Sequence, residues 1–268
     1  MQLTKHHGLG NDFLVALVDQ VPSQGPALAR AWCHRTTGIG ADGLIFGTPH
    51  ATADREMTLF NADGSLAEIS GNGIRCLGQA MARQLSKPDA ELTIETAGGT
   101  RILQMSAGEN SAEASARVDM GAVTEGPAIP DAFTPGGSLI VTRSETAAVG
   151  NPHIVLEVAD FAPVDVEVDG PRLEEFWMPE GINVHFLQIT GPNQVTVQHW
   201  ERGSGRTAAC GSGATASATL AHRWGAVGSE VEVVMPGGSA TVQVGPEHSM
   251  LVGPAVLIGT VEIDVPNG

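Results

Sequence analysis

Lysine is almost absent from this chain: Lys5 and Lys87 are the only two among 268 residues, and Lys87 precedes Pro88 in a loop-like stretch. A pyridoxal phosphate enzyme needs a Schiff-base lysine, and neither of these lies in a motif suited to that role. Cysteine is scarce as well. Cys33, Cys76 and Cys210 are widely spaced and odd in number, which leaves neither a disulfide scaffold nor a CxxC zinc clip. The nine histidines show no HExxH or comparable ligand spacing, so no metal centre is expected. No apolar run approaches the length of a bilayer span, and Met1-Gln2-Leu3-Thr4-Lys5-His6-His7 lacks the apolar core of a secretory signal. Basic residues are few: Lys+Arg 14 against Asp+Glu 30 leaves a net charge of −16, which repels phosphate backbones and anionic lipid. These absences lead to the expectation of a cytoplasmic protein with neither nucleic acid nor membrane as partner.

What is present is an internal repeat at one fixed spacing. Gly10-Asn11-Asp12-Phe13 is echoed 140 residues later by Gly150-Asn151-Pro152-His153. At the same offset of 140, Phe60-Asn61-Ala62-Asp63-Gly64-Ser65 is matched in position by Trp200-Glu201-Arg202-Gly203-Ser204-Gly205, and Ser70-Gly71-Asn72-Gly73 by Cys210-Gly211-Ser212-Gly213. Gly43 and Asn183, each just before an apolar run, obey the same spacing. A hydrophobic content of 42% in 268 residues is enough for real cores, and the offset divides it between two halves.

Short β-rich runs bounded by Gly, Pro, Asn or Asp dominate, as in 13–18, 57–60, 153–158 and 195–200. Each half also carries a helix that starts at its glycine motif. In the first, Ile74, Leu77, Met81 and Leu85 recur at helical spacing before Ser86-Lys87-Pro88. In the second, residues 214–221 are almost wholly Ala, Ser and Thr, small enough for a sheet to enclose them closely. The expected class is α+β, with two pseudo-symmetric domains, each a curved and mostly antiparallel sheet around a central helix. Residues 1–115 form the first half, with 256–268 crossing back to it, and residues 116–255 the second. Segment 123–138, rich in Gly and Pro, reads as a connecting loop or as an excursion within the second domain.

Both repeats put a side chain immediately before Gly-x-Gly and a helix. First-turn N–H groups have no intrahelical acceptor, and with the macrodipole they attract an anion such as a carboxylate. A thiol at that position is favoured as thiolate, which marks Cys210 as a base. Two such helix ends acting on one amino-acid carboxylate, with the side chains at 70 and 210 on opposite faces of the α-carbon, would remove a proton on one face and return one on the other. That chemistry is stereoinversion of an amino acid, and it needs no cofactor.

Seven blocks are similar to the signatures of the diaminopimelate epimerase family: Gly8-Leu9-Gly10-Asn11-Asp12-Phe13, Asn61-Ala62-Asp63-Gly64-Ser65, Gly71-Asn72-Gly73-Ile74-Arg75, Gly150-Asn151-Pro152-His153, Ile182-Asn183-Val184, Glu201-Arg202-Gly203 and Ala209-Cys210-Gly211-Ser212-Gly213. The resemblance implies a two-domain fold with the active site between the domains, commonly a homodimer. It also implies conversion of LL- to meso-diaminopimelate, which feeds lysine and peptidoglycan synthesis. Carried over residue by residue, it makes Asn11, Asn61, Asn151 and Asn183 ligands of the substrate's polar ends. Gly71 with Asn72, and Gly211 with Ser212, would hold the reacting carboxylate through main-chain N–H groups. Arg202 suits the distal carboxylate, Glu201 an ammonium, and His153 would support the acid/base pair.

Two positions depart from the family pattern. Its first catalytic cysteine is here Ser70, whose hydroxyl is a far weaker acid than a thiol. Cys76 cannot replace it, because six residues of helix rise about 9 Å. Three readings stay open: a cysteine-to-serine trap, a serine that relays a proton, and a different activity. In the second departure, Gly205-Arg206-Thr207 stands where the family usually has Gly-Glu-Thr. Arg206 reverses a charge and admits other substrates, histidine-like or hydroxyproline-like, as well as a non-catalytic amino-acid-binding role.

Overall fold

A computed structural model describes residues 1–67 and 70–264. In chain order the elements are β1 (Gln2–Gly8), β2 (Asn11–Leu17), α1 (Gly25–Trp32), β3 (Gly43–Thr48), β4 (Arg55–Asn61), α2 (Gly71–Gln84), β5 (Ala90–Glu95), β6 (Arg101–Ala107), β7 (Glu113–Asp119) and β8 (Thr124–Glu125). They continue with β9 (Val141–Ala148), β10 (Pro152–Val158), α3 (Val166–Glu174), β11 (Asn183–Gly191), β12 (Gln194–Glu201), β13 (Gly205–Thr207), α4 (Gly211–Arg223), β14 (Glu230–Met235), β15 (Gly238–Gln243) and β16 (Met250–Glu262). The chain forms two compact units, one comprising Met1–Val118 and the segment from Gly253 onward, the other Asp119–Val252. No helix of the described residues is long and apolar enough to cross a membrane.

In the first unit the strands run β1-β2-β3-β4-β5-β6-β7-β16, and β16 pairs with β1 to close the ring. Closure pairs each described strand of this unit on both sides. α2 is buried at every position from Gly71 to Ala82. Leu85, which the sequence places on the apolar stripe of this helix, is instead its C-cap and 53% exposed, because Ser86 takes a positive φ of 55° that ends the helix. β3 is buried along its whole length. One of its faces meets α2, and the other carries Leu44 and Phe46 into a core with Leu14, Leu28 and Trp32. Gly10 is required by local geometry: Leu9 and Gly10 both have positive φ, 55° and 82°, as the tight link from β1 to β2 demands.

The second unit repeats this plan at the offset of 140. Parallel β2 and β3 pair Phe13 with Gly43, and parallel β10 and β11 pair His153 with Asn183. Antiparallel β3 and β4 pair Ile45 with Leu59, and β11 and β12 pair His185 with His199. α4 is buried from Gly211 to Ala221, which its Ala, Ser and Thr residues permit. The halves are therefore pseudo-symmetric, each a mostly antiparallel sheet around one helix. The sequence reading of one helix per half is incomplete, since α1 and α3 pack on the outer sheet faces. Their signals are local: Pro26 in the first turn of α1, and at α3 the Asp165 side chain accepting from Glu167 N at 3.1 Å. Segment 123–138 lies in the second unit and contributes the two-residue strand β8.

Gly170 is where α3 meets its sheet. A Cβ there would lie 2.5 Å from both Cβ and Cγ of Trp200. Gly170→Ala gains about 1 kcal/mol of helix propensity but forces apart two backbone-anchored groups, which costs about 1–3 kcal/mol. The expected outcome is a lower urea midpoint for the variant; an unchanged or higher midpoint would show that α3 shifts freely on the sheet.

Candidate active site

Ser70 and Cys210, the two side chains expected from the sequence to exchange protons, are helix caps in their units. Ser70 precedes α2 in extended backbone (φ −139°, ψ 115°), and its Oγ accepts from Gly73 N at 3.0 Å. Cys210 precedes α4 at φ −125°, ψ 113°, and its Sγ accepts from Gly213 N at 3.3 Å. Same backbone, same donor position: the side chain satisfies the third N–H of the helix and is held in one rotamer by doing so. The earlier first-turn N–H groups have no carbonyl within the helix to bond.

In the first unit, a polar chain runs inward from Asp42. Its carboxylate accepts from Asn11 Nδ2 (2.7 Å), Asn11 Oδ1 accepts from Asn72 Nδ2 (3.2 Å), and Asn72 Oδ1 accepts from Arg75 (2.6 Å). Arg75 is fully buried on α2 and also bonds the carbonyls of Gly71 (3.1 Å) and Pro254 (3.2 Å). Those acceptors are neutral, so burial pulls its pKa down to about 10, still charged at neutral pH. A full positive charge thus adds to the dipole beneath the first turn of α2, reinforcing its pull on an anion. Gly8 and Gly253 leave the room for it, since a Cβ on either would stand 3.1–3.2 Å from the guanidinium. Arg75 ends the block Gly71-Asn72-Gly73-Ile74-Arg75, but nothing in its spacing marks it as buried. Asn61 ends β4 opposite Gly43 and gives its amide to Ser65 Oγ (3.0 Å), so its side chain is engaged locally rather than in the Asn11–Asn72 chain.

In the second unit, alternation along the strands sorts the side chains. Ile154, Val184, Phe186 and Trp200 face α3 with Leu173 and Val166. The opposite face, under α4, carries His153, His185, His199 and Glu201. Asn151 Oδ1 lies 2.7 Å from His153 Nε2, His153 Nδ1 lies 2.8 Å from His185 Nε2, and His185 Nδ1 lies 2.9 Å from His199 Nδ1. All three rings are fully buried, which holds His153 and His199 down at about 3 and His185 well below its ordinary value. They are neutral at pH 7. Asn183 is anchored to Pro152 O (2.8 Å) and receives the main-chain N–H of Arg202 (3.0 Å), while the Arg202 guanidinium reaches Glu180 O (3.0 Å). Sequence reading passed over His185 and His199, each a lone histidine in an otherwise ordinary strand.

Cys210 corrects one expectation. The helix end and the N–H of Gly213 do favour a thiolate, as does Ser212, whose Oγ lies 3.6 Å from Sγ. Burial outweighs them, and the Glu201 carboxylate, hydrogen-bonded to the thiol, adds to the rise; the pKa lies well above the ordinary value. At rest Cys210 is a thiol. Burial also pushes Cys33 and Cys76 up to about 12. Glu201 is fixed in turn by Thr207, which donates at 2.5 Å. Arg206 pairs across from Trp200 and points to the α3 side, lining a pocket of about 330 Å³ with Asp165 and Gln198. The reversed charge therefore lies on the other sheet face from Glu201, Thr207 and Cys210. Among the described residues no group of three or more His, Cys, Asp or Glu is arranged to hold a metal ion.

The arrangement belongs to a known class of fold. A predicted epimerase of Pseudomonas aeruginosa superposes with a TM-score of 0.77 at 17% identity, covering 98% of each chain. A hydroxyproline epimerase of Agrobacterium vitis, solved with trans-4-hydroxy-L-proline, gives 0.67 at 18% identity over 98% of this chain and 90% of that one. At the sequence level a diaminopimelate epimerase profile matches residues 3–125 and 146–258. Diaminopimelate epimerases of Bacteroides thetaiotaomicron and Moorella thermoacetica are 35% and 38% identical to this chain, each over 96% of both chains. That of Prochlorococcus marinus is 40% identical over 89% of this chain and 84% of its own. This chain belongs to the diaminopimelate epimerase family.

Two outcomes follow from the electrostatics. Removing the charge on Glu201 relieves the repulsion on Sγ, so Glu201→Gln lowers the midpoint at which Cys210 gains thiolate absorbance near 240 nm, measured against Cys210→Ser; an unmoved midpoint would leave burial as the sole cause. His153, His185 and His199, with His6 of the first unit at about 4, stay neutral in the fold while the unfolded chain titrates them near 6.5. Below 6.5 the unfolded state binds more protons, so stability present above that pH drains away as pH falls through it toward 3. Urea midpoints should fall between pH 6.5 and about 5, before most carboxylates titrate, and a flat profile there would contradict neutral burial.

Proposed function

We propose that this protein converts LL- to meso-diaminopimelate by removing the α-proton on one face and returning one on the other. The observation that carries this reading is the pair of capped helix ends, Ser70 and Cys210, alike in extended backbone conformation and in their bond to the third helical N–H, within a family match over most of the chain. Main-chain N–H groups at Gly71 and Asn72, and at Gly211 and Ser212, would hold the reacting carboxylate, since anions are favoured at helix N-termini. They would also stabilise the charge that develops as the α-proton leaves.

The resting thiol gives the cycle its order. An ammonium paired with Glu201 cancels the carboxylate charge that now raises Cys210, and expulsion of water by the substrate strengthens what the first-turn N–H groups and Ser212 do for the thiolate. Cys210 then becomes a base when substrate is present. Ser70 keeps an O–H to donate while its oxygen accepts from Gly73. As a far weaker acid than a thiol it returns a proton slowly, and un-ionised it is also a poor base. Asn11, Asn61, Asn151 and Asn183 fit the substrate's polar ends, and Arg202 fits the distal carboxylate as a bidentate donor. The product is a precursor for lysine and peptidoglycan synthesis. The same reading makes the enzyme cytoplasmic, a homodimer and independent of pyridoxal phosphate, with a small amino acid as its partner and neither nucleic acid nor membrane.

Proton NMR in D₂O with purified protein and each diaminopimelate stereoisomer tests it. Loss of the α-proton signal should be fast from the isomer presented to Cys210 and slow from the other, with slow net inversion. Ser70→Cys should raise inversion, and Cys210→Ser should lower exchange, each by about 10²–10⁴-fold, the range of one positioned acid or base. If Ser70→Cys leaves inversion unchanged or lower, the hydroxyl belongs to a different mechanism and only the fold assignment stands.

A further inference from the structure

The face of the second unit beneath α4 carries three imidazoles where the first unit carries hydrocarbon. At the offset of 140, His153, His185 and His199 correspond to Phe13, Ile45 and Leu59, all buried and apolar. The strand registers agree: Val15 pairs with Ile45 as Val155 pairs with His185, and Ile45 pairs with Leu59 as His185 pairs with His199. One fold solves the same packing problem twice. Burying three rings removes them from water at a cost that hydrocarbon avoids, so the imidazoles are not there to fill space.

Their hydrogen bonds form a single directed chain. Each neutral ring has one N–H and one bare nitrogen, so the proton position on one ring fixes it on the next. Asn151 Oδ1 accepts from His153 Nε2, which leaves His153 Nδ1 to accept from His185 Nε2, and His185 Nδ1 to accept from His199 Nδ1. His199 Nε2 is then a bare acceptor, and it is buried with no partner. The reverse order would bury an orphaned N–H there, which proteins tolerate less well than an unmet acceptor. The chain also underlies the reactive helix. His185 lies against the first turn of α4, where a Cβ on Gly213 would stand 2.3 Å from its Cε1, and Gly213 is the residue whose N–H holds Cys210 Sγ.

We infer that His185 and His199 are positioning residues that lock His153 in its Nε2–H form, so that Asn151 is held by its carbonyl and presents its NH₂ as donor to the substrate. Neither touches substrate. Both act through His153 and Asn151, and the inference rests on the reading of Asn151 as a substrate ligand.

The test has one arm that needs no turnover. In ¹⁵N-histidine-labelled protein, long-range ¹H–¹⁵N correlation reports which nitrogen of His153 carries the proton. Wild type should show one Nε2–H form. His199→Leu, which installs the residue found at position 59, should give a mixture, and His199→Gln, whose amide can donate to His185 Nδ1, should restore the single form. In kinetics with diaminopimelate, His199→Leu should raise KM about 2- to 10-fold, as expected for one neutral hydrogen bond lost, with a smaller change in kcat, and His199→Gln should recover it. An Nδ1–H form of His153 in wild type, or a tautomer that His199→Leu leaves unmoved, overturns the inference. So does a KM that leucine and glutamine change alike. A locked tautomer in a protein inactive on diaminopimelate would instead sink the proposed substrate and leave the lock standing.

Discussion

Enclosing a helix in a sheet creates one problem that the rest of this structure answers: the helix N-terminus, with its unpaired N–H groups, is taken out of water along with everything else. Each unit answers it with a side chain placed just before the helix that accepts from the third N–H. Glycine at that third position lets the sheet come close, and in the second unit nothing larger fits over His185. In the proposed reaction the proton-transfer atom and the structural cap are one and the same. A cap that is small, hydrogen-bonding and single-rotamer also suits a proton-transfer group, and Ser70 and Cys210 share an extended backbone.

Depth is the second consequence. Burial that holds the helix also withholds charge from Cys210, and the nearby Glu201 carboxylate adds to it. In the first unit, Arg75 works in the opposite sense, a retained cation under an otherwise similar turn. At the corresponding place Thr215 bonds the same carbonyl, that of Gly211, at 2.9 Å without any charge. The halves therefore share a frame and differ in electrostatics, one end electropositive and the other holding a neutral acid.

Much of this was legible in the chain. The offset of 140 survives because caps and glycines are fixed by backbone geometry, and geometry cannot drift without breaking the turn. The small residues of α4 announced an enclosed helix for the same reason. Strands such as β1 and β9 were missed: Gln2–Gly8 carries Lys5, His6 and His7, and Val141–Ala148 carries Arg143 and Glu145, so neither reads as an apolar run. α1 and α3 are short and rest on outer faces whose existence only the folded sheet reveals. The protonation of Cys210 was misread, because a sequence shows that a thiol precedes a helix but not how deeply it lies or that Glu201 folds against it. His185 and His199 are fourteen residues apart and meet only through the β11–β12 register.

The closure of the first unit sets an order of events in assembly. β1 is completed by β16, with Gln2 opposite Glu262 and Leu3 opposite Val261, so a strand made before the second unit waits for one made after it. Contacts of such long sequence separation slow folding, since the intervening chain must be gathered before they form. On the ribosome the first barrel stays open while the whole second unit is synthesised, with an unpaired edge exposed to neighbouring nascent chains. Lys5, whose ammonium meets Asp12 at 3.0 Å, puts a charge on that waiting edge, a feature that discourages strand-to-strand association until β16 arrives.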